Sequence, residues 1–205
     1  MNIMQMRRGM SSASLPYNAE IEYLQGDFNS YIDLGIKFTG DTYISGAFFI
    51  PTVSGDTATS VFGARKSNAV NAFYFMYAYV GGSYRINPAY GTQNNTSVGN
   101  PPFNIKTEFV FNKNIFSFNG YTVTFSHSSF TTDVDITLFA INRLDIGVWH
   151  ESSVRIYNIF IDNGNKLLNL IPVRVGQVGY MYDKVSGQLF GNAGTGDFVL
   201  GPDIQ

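Results

Sequence analysis

The chain has 205 residues, of which 44% are hydrophobic, 16% aromatic and only 14% charged, a composition that excludes intrinsic disorder and a coiled coil and fits one folded domain. Thirteen Lys and Arg against fifteen Asp and Glu give a formal net charge of -2, without the basic excess that nucleic-acid binding rewards. The absence of cysteine removes disulfides, thiolate nucleophiles, Cys-ligated zinc and iron–sulfur clusters, and no apolar run is long enough to span a bilayer.

Residues 1–20 read as an arm. Four of the six methionines fall in the first ten residues beside Arg7 and Arg8, no hydrophobic period is sustained, and no apolar stretch follows of the kind a secretory signal needs. Met4, Met6 and Met10 offer adaptable apolar contact, and Leu15-Pro16-Tyr17 gives a stiff, extended lead-in. The arm is expected to dock on its own sandwich, on sister subunits or on a larger particle, with residues 21–205 forming the sandwich domain.

From Ile21 onward, short β-branched and aromatic runs alternate with Gly, Asn, Asp and Pro, the rhythm of an all-β antiparallel sandwich. Strands are expected at 31–34, 42–50, 60–64, 71–80, 107–112, 136–140 and 178–182. The run 71–80 is apolar on both faces, with Phe73, Phe75, Tyr77 and Tyr79 on one and Tyr74, Met76, Ala78 and Val80 on the other, so it is central and covered on both sides. Asn119-Gly120 predicts a two-residue type I′ turn pairing Phe118 with Tyr121 and Phe116 with Val123. Asp162-Asn163-Gly164-Asn165 predicts a second hairpin joining 154–161 to 166–174. Phe75, Tyr77, Phe109, Phe111, Ile156 and Ile171 are the expected core.

Several phrases are specific enough to carry a resemblance: Glu20-Ile21-Glu22-Tyr23-Leu24, Tyr31-Ile32-Asp33-Leu34-Gly35, Val61-Phe62-Gly63-Ala64-Arg65, Val154-Arg155-Ile156-Tyr157, and above all Tyr182-Asp183-Lys184-Val185-Ser186-Gly187 followed by Leu189-Phe190-Gly191-Asn192 and Gly194-Thr195-Gly196. Together, over about residues 20 to 202, they resemble the laminin-G-like, concanavalin A-like jelly-roll domains of phage virion proteins and gut-bacterial surface proteins. The resemblance implies a two-sheet jelly roll, members that bind glycans or proteins, and glycoside hydrolases among the enzymatic relatives. The shared phrases are turn and core positions, with Gly187, Gly191 and Gly196 suited to positive φ, so they speak for the fold and name no site.

Chemistry is sparse. Hydrolytic relatives carry a Glu-x-Asp-x-x-Glu spacing that is absent here. Of the four glutamates, Glu20 and Glu22 read as solvated edge charges while Glu108 and Glu151 stand alone, whereas retaining hydrolysis needs two carboxyl groups ~5–5.5 Å apart. Asp133 and Asp135 are candidate ligands for a rim calcium, and neither His127 nor His150 lies in a zinc or triad motif. Two loops suit sugar recognition, which combines an aromatic platform with a few polar groups: Tyr84, Arg85, Asn87 and Tyr90 with Asn94 and Asn95, and Trp149 with His150 in a polar turn.

The function expected is a non-enzymatic structural or adhesive subunit on a phage virion surface, a head fibre, decoration or tail appendage. Its partners would be sister subunits, other virion proteins and a glycan, with neither nucleic acid nor membrane insertion. The alternatives are a polysaccharide-binding module on a bacterial cell surface and a glycoside hydrolase.

Overall fold

The computed structural model describes residues 15–52, 58–67, 70–80, 82–94 and 99–204. No helix occurs among them. In chain order the strands are β1 (Ala19–Glu20), β2 (Leu24–Gln25), β3 (Ile32–Asp33), β4 (Tyr43–Phe49), β5 (Thr59–Arg65), β6 (Ala72–Val80), β7 (Ser83–Gly91), β8 (Gln93–Asn94), β9 (Lys106–Asn112) and β10 (Ile115–Phe118). There follow β11 (Tyr121–Thr124), β12 (Thr137–Leu138), β13 (Ile141–Arg143), β14 (Gly147–Trp149), β15 (Arg155–Asp162), β16 (Leu167–Val175), β17 (Val178–Asp183), β18 (Leu189–Phe190) and β19 (Val199–Leu200).

They build two sheets. The first runs β11-β10-β9-β4-β15-β16-β17-β18, with β1 on β16 and β2 bridging β15 to β19. The second runs β14-β13-β5-β6-β7-β8, with β12 linking β5 to β3. Between the strands pairing is antiparallel except where β13 runs parallel to β5, setting Arg143 beside Arg65, and outside them a parallel bridge joins Ile50 to Phe103.

The layers meet through aromatic rings. Phe73 of the second sheet lies 4.4 Å from Phe111 of the first, Phe75 lies 5.0 Å from Phe116 and 5.1 Å from Phe48, and Phe62 stacks on Phe109 at 5.7 Å. Phe75, Tyr77, Phe109, Phe111 and Ile156 are buried as expected. Ile171 is not: it is half-buried, paired with Tyr182, while its neighbours Leu170 and Leu168 supply the core. In this strand apolar residues occupy both faces, so composition alone does not settle which set turns inward.

The Asn119-Gly120 hairpin has the expected register, Phe116 opposite Val123 and Phe118 opposite Tyr121, with both turn residues at positive φ (46° and 80°) as a type I′ turn requires. The second hairpin joins β15 to β16 through the four residues Asn163, Gly164, Asn165 and Lys166. Strand β6 is central, between β5 and β7.

Three expectations are corrected. Residues 84–90, read as a loop, lie within strand β7, because Tyr84, Ile86, Pro88 and Tyr90 alternate with Arg85, Asn87 and Ala89 and pair residue for residue with β6. Trp149 closes strand β14 rather than sitting in a turn. Of the three glycines assigned positive φ, only Gly187 has it (76°). Gly191 and Gly196 are required by space: a Cβ on Gly191 would lie 3.0 Å from the Tyr180 ring, and one on Gly196 would fall 2.1 Å from the Asp27 carboxylate.

The Asp183 turn explains the most specific phrase in the sequence. Its buried carboxylate accepts bonds from the N–H groups of Asn169, Val185 and Ser186 and from the Ser186 hydroxyl. Burial pushes this carboxyl up, but the donated bonds outweigh it and hold it below the usual carboxylate range.

The expected arm lies outside the described residues up to residue 14. Beyond it, the Tyr17 ring packs edge-on against Tyr182 at 4.9 Å, its hydroxyl donates to Glu20, and Ala19 and Glu20 pair with β16.

Candidate functional site

Two outward faces carry the side chains available for binding. On the first sheet, residues 43, 45, 47 and 49 of β4 point away from the core, and the sequence puts Tyr, Ser, Ala and Phe there. Two small residues between two aromatics on a central strand leave a trough. Flanking strands wall it: Phe160 and Val110 oppose Ser45, and Asn158 and Glu108 oppose Ala47. A depression of about 320 Å³ follows, lined by Tyr43, Ser45, Glu108, Val110 and Asn158, and a second of about 230 Å³ continues from Glu108 toward Ser117, Tyr121 and Thr122.

From Tyr43 to Phe49 the outward row of β4 runs ~20 Å at the rise of a strand. One end is closed by the edge-on pair Tyr43–Phe160 at 5.9 Å. At the other end Arg155 lies over Phe49 and Tyr23, and Lys106 lies 4.1 Å over Tyr157. Within the trough the Ser45 hydroxyl, the Glu108 carboxylate and the Asn158 amide are open to a ligand.

The outward face of the second sheet is closed instead. Tyr74, Met76, Ala72 and Ala89 form a buried cluster with Ile141. Gly63 lets it close, since a Cβ there would lie 2.5 Å from Tyr74 Cβ and 2.8 Å from Ile141. Arg65, only 6% exposed, inserts its guanidinium 4.7 Å from the Trp149 ring and 5.5 Å from Tyr74, and Arg143 lies 5.0 Å from the same indole while pairing with Asp145.

Burial pushes the Tyr74 phenol up, against the Arg65 charge and hydrogen bonds from Asn94, Arg65 and Asn87. Burial also pulls His150 down to about 4, with the charges of Arg65 and Arg143 adding to it, so this imidazole is neutral near pH 7. The Arg65 Nε and Nη2, the Asn87 Oδ1 and the Ser60 Oγ are buried with no hydrogen-bond partner.

The structure thus gathers part of the expected binding set. Asn87 and Asn94 from one segment and Trp149 and His150 from the other come to one face of one sheet, joined by Arg65, Tyr74 and Arg143, which sequence reading missed. Arg85 shares that face opposite Ala78. Tyr84 turns to the opposite side, packed between Tyr77 and Phe103 beside a depression of about 270 Å³. Tyr90 is corrected outright: it is fully buried, and its hydroxyl donates to the carbonyls of Gly40 and Ser128. Asn95 lies outside the described residues.

The Asp133 carboxylate accepts a bond from Asn71 and the Asp135 carbonyl one from Asn142. Among the described residues no group of three or more His, Asp or Glu side chains is placed to hold a metal. The trough residues Tyr43, Ser45 and Asn158 carried no motif. Their signal was the aromatic–small–small–aromatic order on alternate positions of β4.

No family model matches the chain, and no curated protein matches it. Among solved structures, a Bacteroides ovatus protein provisionally described as carbohydrate binding superposes with a TM-score of 0.55 at 10% identity, over 88% of this chain and 60% of that one. The chain therefore spans three fifths of that protein's length. At this identity the likeness is one of fold. Two sheets packed through a common core make the chain an all-β, two-sheet jelly-roll sandwich.

Proposed function

We propose that the chain is a non-enzymatic carbohydrate-binding jelly roll that holds a neutral saccharide in the trough along β4. The observation that carries this is the depression over Ser45 and Gly46 beside Tyr43, flanked by Glu108, Val110 and Asn158. Sugar rings are amphipathic, with C–H faces that stack on aromatics and hydroxyls that bond to carboxylates and amides. Glu108 favours a ligand rich in hydroxyl donors and opposes an acidic one. The lining of the deeper depression holds one carboxylate, Glu108, whereas hydrolysis calls for a pair. The provisional description of the Bacteroides ovatus protein as carbohydrate binding agrees with this reading.

Affinity electrophoresis through gels containing neutral polysaccharides tests it. Retardation by at least one polysaccharide is expected, weakened about tenfold or more in Tyr43→Ala and in Glu108→Gln; no retardation across a broad panel overturns the proposal. We further propose that the domain serves as an adhesive subunit on a phage particle, joined to sister subunits through residues 1–20. The phrases shared with phage virion jelly rolls support this. Mass spectrometry of purified particles should find the protein as a stoichiometric component, and its absence there would leave a bacterial surface module as the setting.

A further inference from the structure

We infer that the closed face of the second sheet is a second binding site, independent of the trough, that takes an acidic sugar, one bearing a carboxylate or a sulfate ester. Its chemistry follows from which atoms are left unpaired. The Arg65 guanidinium is more than nine-tenths buried with Nε and Nη2 unpartnered, and it makes no ion pair with any carboxylate among the described residues. The nearby Asp145 is engaged by Arg143 through two bonds, of 2.9 and 2.6 Å. A buried guanidinium edge offering two parallel N–H groups is the geometry that carboxylate and sulfate oxygens satisfy best.

The remaining orphans ask for the opposite partner. Asn87 is 8% exposed, and its side chain bonds to the Tyr74 hydroxyl that Arg65 also reaches, which leaves Oδ1 as an unpaired acceptor. Ser60 lies in the same cross-strand row, separated from Asn87 by Met76, and its Oγ is unpaired as well. An inorganic anion would satisfy the arginine alone. A neutral sugar would satisfy the amide and the hydroxyl alone. An acidic sugar carries an anion for Arg65 and hydroxyl donors for Asn87 and Ser60 on one scaffold, and burying such groups unpaired is costly.

Trp149 covers the arginine. It is the last residue of β14, and the next residue, His150, has a φ of 54°. The ligand enters by tilting this indole away from the guanidinium it stacks on. The indole is the chain's one tryptophan, so its fluorescence reports occupancy directly.

The test is a titration of Trp149 emission with four probes: a glucuronic-acid oligosaccharide, a sulfated oligosaccharide, a neutral oligosaccharide of the same length, and sodium sulfate. Saturable change is expected with one or both acidic sugars, at least tenfold tighter than with the neutral sugar or sulfate; the acidic probe that binds tells carboxylate from sulfate. Arg65→Met, checked for an intact fold by circular dichroism, should abolish the preference. Asn87→Asp, which sets a like charge beside the ligand's anion, should weaken acidic binding about tenfold even if the arginine variant fails to fold. Tyr43→Ala in the trough should leave the response unchanged, which separates this site from the proposed function. The inference is overturned by equal response to neutral and acidic sugars, by no saturable response to either acidic probe, or by acidic binding that survives in folded Arg65→Met.

Discussion

The two outward faces of this sandwich rest on one core and solve opposite problems. Strand β4 presents small residues to the outside, so polar neighbours such as Glu108 and Asn158 stay solvated and the face remains a trough. Strands β5 and β6 present Arg65, Tyr74 and Met76, side chains large enough to cover one another once Gly63 removes the obstacle between them. The lesson is that polar groups of similar kind carry different free energies on the two faces. In the trough an unpaired hydroxyl bonds to water at little cost; on the closed face the same hydroxyl has lost its water and gained nothing.

The largest effect should come from the rings that support both faces. Phe109 lies beneath the trough and contacts Phe62 and Phe75 of the second sheet at 5.7 and 5.3 Å. Phe109→Ala is expected to cost ~3–5 kcal/mol in urea unfolding and to disturb both the trough and the Trp149 environment. A loss under ~1 kcal/mol would mean that the two faces do not share a core at this point.

Acid separates the faces next. His150 has an ordinary pKa in the unfolded chain and one of about 4 when folded, through burial and then the charges of Arg65 and Arg143. The unfolded state therefore takes up a proton that the folded state refuses. The stability this supplies is complete above the ordinary histidine range and drains away as pH falls toward 4. His150→Asn should flatten that limb of the stability profile. An unchanged profile would show that the imidazole beside Trp149 is solvated after all.

Gly63→Ala tests closure without charge. The new Cβ would meet Tyr74 Cβ at 2.5 Å, and overpacking of this kind costs ~1–3 kcal/mol. Trp149 emission should shift while binding in the trough persists. Were both properties untouched, the second sheet would have more room than its packing shows.

The fold was legible because turn chemistry and periodicity are local. Asn119-Gly120 dictates its register by backbone geometry, and Phe73 and Phe75 alternate with Tyr74 and Met76 over a full strand. The site was legible only in part. Trp149, His150, Asn87 and Asn94 stood out by residue type, but their convergence depends on β13 lying parallel to β5 and carrying Arg143 beside Arg65, a long-range pairing that no local pattern encodes. Tyr90 misled because a tyrosine near amides looks like a sugar platform, whereas its hydroxyl is spent on the carbonyls of Gly40 and Ser128. The trough escaped notice because serine and alanine signal nothing until aromatics are known to bracket them on one face.

The smallest effect is the sharpest test of the contrast, since it removes the same hydroxyl from each face. Ser45 lies in the trough opposite Phe160 and Val110, open to solvent. Ser45→Ala should therefore change stability by no more than ~0.5 kcal/mol while weakening saccharide retention. Ser60 is fully buried with its Oγ unpaired, so Ser60→Ala discards a desolvated group and should raise the stability of the free protein by about 1 kcal/mol. The same change should lower affinity for an acidic sugar, because the orphaned hydroxyl is held in place for a ligand at the expense of the empty fold. If both substitutions prove neutral, the Ser60 hydroxyl has a partner in solution and the two faces differ in shape alone. If Ser60→Ala destabilises the chain, that hydroxyl is part of the fold and the closed face is a second core.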